Sequence, residues 1–313
     1  MQTLEIEGDN GQKTSEHVFV EFKQYELPRR ATNPSVLVVG RIEKLAQLLA
    51  HKHAADAGFR TLQCIAVVQQ PALKRFSLAF RLPNDTSSTS LPLTLQDAIA
   101  SKTTVRPTLN QRFAMAVCLS QTLFELHSVQ WLHKGIRSDN ILFGWEPADD
   151  AGTQLKPKYT NPYLAGFEFS REQNDRSTTE QDDRLERQIY RHPDRQGLPA
   201  DSPKFTVLHD IYSLGVVLLE IGLWRPVCGF EDYSETEPGG IRRSLQEHTR
   251  QRLPHYMGEA YTKAVMKCLK GDISDTVAGT LAQTNPLEQE LKITLAFSQD
   301  VTNSVKGCHA SAT

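Results

Sequence analysis

Hydrophobic positions along this chain fall first into short strand-like runs and then into helical stripes. Leu4–Glu7 and Val18–Tyr25 read as two strands. Gly8-Asp9-Asn10-Gly11-Gln12 joins them, a turn sequence whose residues tolerate positive φ. After a loop from Pro28 to Pro34, Arg41–Lys52 carries Ile42, Leu45, Leu48 and Leu49 at amphipathic helix spacing. Gln63–Val68 and Phe76–Arg81 are two further predicted strands, completing a β-rich unit with one helix.

Asn84 to Pro92 is the most linker-like stretch, and beyond it the texture becomes helical. Leu109, Phe113, Ala116, Val117, Leu123 and Leu126 line one long helix, with Thr108 and Gln111 spaced as a capping box. Trp145–Lys158 reads as a loop or hairpin, and Tyr163–Phe169 as a short apolar strand. Arg171–Arg187 is a charged, apolar-poor run expected to be solvated. His209–Trp224 is apolar nearly all round, which predicts a buried helix. Helical patterns return at Ile241–Arg252, Glu259–Lys270 and Pro286–Ser304. The expected organisation is a unit over residues 1–83, a larger one over 84–305 and a disordered tail over 306–313.

Composition narrows the function classes. A formal charge of −2 gives no electrostatic reason for a nucleic-acid partner. Cys64, Cys118, Cys228, Cys268 and Cys308 are scattered and odd in number, without C-x-x-C pairing. That argues against a disulfide framework or zinc site and for a reducing, cytoplasmic setting. Leu214–Leu223 is the longest apolar run and is too short to span a bilayer. His127, His192 and His209 have no partnered nucleophile at meaningful spacing and read as structural, and no metal site is expected.

Candidate chemistry gathers around Trp131-Leu132-His133-Lys134-Gly135-Ile136-Arg137-Ser138-Asp139-Asn140-Ile141-Leu142-Phe143. This resembles the catalytic loop of protein kinases, H-R-D-L-K-x-x-N before an apolar strand. Leu164-Ala165-Gly166-Phe167-Glu168-Phe169-Ser170-Arg171 resembles that family's L-A-D-F-G-x-S-R, and Tyr190-Arg191-His192-Pro193-Asp194 its Y-R-A-P-E. Asp210-Ile211-Tyr212-Ser213-Leu214-Gly215 is close to D-x-W-S-L-G, and Cys268-Leu269-Lys270-Gly271-Asp272 echoes C-L-x-x-D. Val20-Glu21-Phe22-Lys23 is similar to V-A-I-K. Together these cover roughly residues 18–300. They imply an α+β, protein-kinase-like bilobal fold: a small, truncated β-rich N-lobe without the first strand and glycine-rich loop, and a larger, mainly α-helical C-lobe.

The resemblance also implies roles. Lys23 would hold ATP phosphates with Glu43 as its ion-pair partner, His133 and Phe167 would stack between the lobes, and Asp210 would orient the loop backbone. Gly135 stands where the family has its catalytic aspartate and Gly166 where it has the metal-binding one, so neither site keeps a carboxylate for phosphoryl transfer. Asn140 remains, but one amide is a poor magnesium site. The reading is a pseudokinase acting as a regulatory or scaffold module for protein partners, with no catalytic residue intact; ATP stays open as a ligand and magnesium is disfavoured. Three alternatives stand beside it: an atypical active kinase using Lys23, Asp139, Asn140 and Glu168; a nucleotide sensor without magnesium, through Lys23 and a hinge near Arg81–Pro83; and a poorly folding fragment. The Val20–Tyr25 strand, Phe59–Cys64 and Cys268-Leu269 further resemble the kinase-like C-terminal domains of fungal proteins related to prion inhibition and heterokaryon incompatibility.

Overall fold

A four-stranded antiparallel sheet in the order β1-β2-β4-β3 forms the first third of the chain, with β1 at Gln2–Glu7, β2 at Lys13–Gln24, β3 at Gln63–Gln70 and β4 at Arg75–Arg81. The structure is a computed structural model that describes residues 2–7, 13–27, 33–50, 59–82, 91–146, 156–172, 184–196, 203–230, 239–273 and 285–312, with side chains from residue 17 on apart from that of Glu172. β4 is central, and Phe76 through Phe80 are all buried on it. Helix α1, Val36–Leu49, packs Ile42, Leu45 and Leu49 into the same core. It begins five residues before its predicted start, because Val36 and Leu37 are exposed and carry no periodic signal. Its start is marked by the Ser35 cap, whose hydroxyl accepts from Val38 N–H.

The remainder is mainly helical. Helix α2, Leu95–Ala100, was not predicted and is too short to show a period. Helix α3, Leu109–Ser128, opens with the expected capping box: Thr108 and Gln111 exchange bonds of 2.8 and 3.3 Å. A short helix at Leu185–Gln188 (α4) precedes α5, Val207–Leu223, which is buried on nearly every side. The α6 segment, Gly240–Lys270, is two helices across a break at Gly258, whose φ of 78° and ψ of 169° are not helical. A Cβ at Gly215 of α5 would lie 2.6 Å from the Cys268 Cβ, so glycine there lets the two helices close. Helix α7, Pro286–Phe297, runs through a π turn into α8, Asn303–Ala312. The tail expected to be disordered from residue 306 is thus helical through Ala312, anchored by buried Val305.

Two small sheets position the loops of interest. Strands Leu93–Thr94 (β5), Ile141–Phe143 (β7) and Tyr163–Leu164 (β8) form one, and Trp131–Leu132 (β6) with Arg171–Glu172 (β9) the other. Pairing Leu132 with Arg171 and Ile141 with Leu164 forces the intervening segments 133–140 and 165–170 side by side. Thr61, two residues before β3, reaches them through an isolated parallel bridge to Leu164. The fold is therefore mixed α and β with small antiparallel sheets. The tip of the first hairpin, the 84–90 linker stretch and the 173–183 charged run lie outside the described residues.

Candidate functional site

Period-two alternation puts Glu21 and Lys23 on the same face of β2, and both side chains reach the short 3-10 turn at Phe167–Phe169. Gly166 N–H donates to Glu21 Oε1 at 2.6 Å, and Phe167 N–H donates to Oε2 at 2.8 Å. The Lys23 ammonium donates to the carbonyls of Phe167 (3.1 Å), Glu168 (2.7 Å) and Ser170 (2.8 Å). The carboxylate thus caps the start of the turn and the ammonium its end, each matched to the sign of unsatisfied backbone groups. Burial pushes the Glu21 carboxyl up, against the two N–H donors, and Glu168 adds to the rise. Burial likewise lowers the Lys23 amine to about 8, with Glu21 and Glu168 opposing.

Glu43, expected to pair with Lys23, is instead exposed on α1, and it is Glu21 that stands beside the lysine. Glu21 escaped the sequence reading because the V-A-I-K comparison has alanine there; the i, i+2 spacing was the available signal.

The two glycines face each other across one side chain. Gly166 has φ of 84°, in the left-handed region, and a Cβ there would overlap the Asn140 amide. Asn140 Nδ2 donates to the Gly135 carbonyl at 2.7 Å. A Cβ at Gly135 would come within 3.0 Å of the Gly166 carbonyl oxygen. Asn140 therefore occupies the volume into which a side chain at 166 would project.

Beneath this centre, Asp210 accepts from His133 N–H and Lys134 N–H, each at 2.8 Å, and contacts His127 Nε2 at 3.3 Å. Burial opposes its charge, yet the His127 bond, the neighbouring imidazoles and the Lys134 amide hold its carboxyl below the ordinary value. These bonds also pin Lys134, a non-glycine residue with φ of 65°. His133 and Phe167 meet edge-to-face with ring centroids 4.6 Å apart. Burial depresses the His133 imidazole to about 4.

Asp139, a candidate carboxylate on the kinase resemblance, pairs with Arg137 through bonds of 2.9 and 3.4 Å. Both line a separate cavity of about 230 Å³ with Tyr190 and Glu220. Glu168 stays near Lys23, but the bond between them is made by its backbone carbonyl. The structure thus brings Lys23, Gly135, Asn140, Gly166 and Phe167 into one cluster, seats Asp210 and His133 below it, and leaves Glu43 and Asp139 outside.

Comparison with known proteins bears on this cluster. The chain is 32% identical over 117 residues to the mixed lineage kinase domain-like protein of Mus musculus. That match spans 36% of this chain and 22% of the mouse protein's length. A family model matches residues 68–289, which include Gly135, Asn140, Gly166 and Asp210 but not Glu21 or Lys23. Since that match takes in well over half of the sequence, the chain belongs to the family described as Domain of unknown function (DUF7580).

Proposed function

We infer that this protein is a kinase-like module without phosphotransfer, a pseudokinase that works through its surface and conformation on protein partners. The observation that carries this reading is the use already made of the catalytic centre: Lys23 is spent on three backbone carbonyls, and Asn140 fills the space beside Gly166. These residues do not fit magnesium–ATP. Hard cations want carboxylate-rich shells, and the positions that would supply them are Gly135 and Gly166. A phosphate could take a Lys23 donor only by displacing at least one of these carbonyls. The mouse protein's kinase domain-like designation and the ordered motifs support a bilobal kinase-like layout, with the sheet unit as one lobe and the helices as the other. The narrower fungal resemblance makes self-recognition or stress signalling the proposed setting, in the cytoplasm. Among the described residues, no helix is long and apolar enough to cross a membrane.

A thermal-shift titration with ATP, with and without magnesium, tests the reading, since a ligand that binds only the folded state raises its melting temperature by mass action. The expected result is no saturable shift in either condition, and no labelled phosphate transferred to protein. A magnesium-dependent shift with transfer abolished in Lys23→Ala would overturn it in favour of an atypical kinase. A shift without magnesium and without transfer would favour the nucleotide sensor.

A further inference from the structure

Among the described residues, His192, Asp194 and His209 form a group that the kinase-like reading does not use. One ligand atom from each lies within 4.8 Å of the other two. His192 and Asp194 sit at the turn Pro193–Arg195, and His209 in the first turn of α5. The His192 Nδ1 lies 3.4 Å from an Asp194 carboxylate oxygen and accepts the Asp194 N–H at 3.3 Å, a bond that ligation at Nδ1 would replace. His209 is only 6% exposed, and its Nε2 is buried without a hydrogen-bond partner. A buried ring nitrogen in that condition is costly unless something occupies it. Its other nitrogen, Nδ1, is engaged by the Thr206 N–H and hydroxyl, both at 2.9 Å.

We propose that His192, Asp194 and His209 bind a zinc-class divalent transition metal, which staples the 192–195 turn to the start of α5. Two imidazoles and one carboxylate suit zinc and its borderline neighbours, whereas magnesium and calcium take oxygen ligands. Zinc bonds of about 2.0–2.1 Å set ligand atoms roughly 3.4 Å apart. The His192–Asp194 separation already meets that, and the 4.8 Å span of the group leaves a contraction on the order of 1 Å to complete the site. Ligation at His209 Nε2 places the ring proton on Nδ1. There the Thr206 hydroxyl oxygen accepts it, in exchange for the Thr206 N–H bond that Nδ1 receives without metal. Phe205 stacks on His209 at 4.8 Å and Tyr212 meets His192 edge-on at 5.3 Å, giving the rings an aromatic wall. Arg195 and Arg242 add positive charge nearby, so the expected affinity is weaker than that of a four-ligand structural site.

The test uses the full chain stripped with chelator and titrated with ZnCl2 by equilibrium dialysis and thermal shift, with MgCl2 as the control cation. The expected result is one zinc per chain, a raised melting temperature and no response to magnesium. His192→Gln and Asp194→Asn each weaken binding at least tenfold. Both positions lie outside the core, so these variants stay informative should His209→Gln fail to fold. Cobalt substitution gives an independent readout: nitrogen and oxygen donors produce visible d–d bands without a thiolate charge-transfer band. No saturable zinc binding, unchanged binding in both variants, or a thiolate band placing the metal on cysteine would each overturn the proposal.

Discussion

Glu21 and Lys23 hold opposite charges two residues apart on one strand face, and each is matched to one end of the 167–169 turn. Lys23 loses its proton more readily in the fold than in the unfolded chain, since its amine is lowered to about 8 from 10.5. Between those values the unfolded chain binds more protons, so this group's contribution to stability rises with pH across that window. Chemical denaturation from pH 7.5 to 10 should show wild type gaining up to about 3 kcal/mol relative to Lys23→Met. At pH 7 the methionine variant leaves three carbonyls without their donor and should melt lower. Gly166→Asp, which supplies the carboxylate of the protein-kinase motif at this position, meets both a left-handed φ and the Asn140 amide. It should cost about 2–4 kcal/mol in equilibrium unfolding and restore no phosphotransfer. That residue 166 is a glycine where the kinase resemblance implies a carboxylate was legible in the sequence. That Asn140 had filled its place was not, because the packing depends on a backbone angle and on a residue 26 positions away.

At the scale of elements, α5 organises the helical part. Gly215 meets Cys268 and Gly222 meets Leu253, so this apolar helix closes onto α6 at two glycines. Gly215→Ala should destabilise by about 1–3 kcal/mol in urea denaturation, an overpacking cost that outweighs alanine's better helix propensity. Glu220 lies on the same helix, accepting from Tyr190 Oη at 2.8 Å and Val227 N–H at 2.9 Å. Burial pushes its carboxyl up to about 7, against both donors. A raised folded pKa means stability present below 4.5 and lost as pH rises to about 7. Wild type should therefore lose about 3 kcal/mol from this group between pH 4.5 and 7.5, and Glu220→Gln should lack that component of the slope. The helices with a long apolar stripe or a polar cap could be read from sequence, as Thr108 and Gln111 illustrate. Those that could not were short, as at Leu95–Ala100, or began with exposed apolar residues, as at Val36. The helical tail likewise gave little sign of itself beyond Val305.

Across the whole molecule, the sheet unit is fastened to the helical unit through the strand that carries Glu21 and Lys23; on the proposed kinase-like reading, this is where an active kinase would keep a nucleotide. Glu21, Lys23 and the Thr61–Leu164 bridge make that fastening, and their bonds end on backbone of segment 164–170. The ordered motifs made the kinase resemblance visible from sequence alone. They could not reveal that a lysine shared with the family motif would turn inward, since its partners are backbone carbonyls and have no letter in the sequence. An acyl-phosphate derivative of ATP, which acylates a lysine lying against bound phosphates, tests this directly when the labelled sites are read by peptide mass spectrometry. The prediction is that Lys23 acquires no label that excess ATP prevents, under conditions that label the strand lysine of an active protein kinase. ATP-protected acylation of Lys23 would contradict the account, because it would place a nucleotide where the structure has Glu21 and Lys23 closing the site.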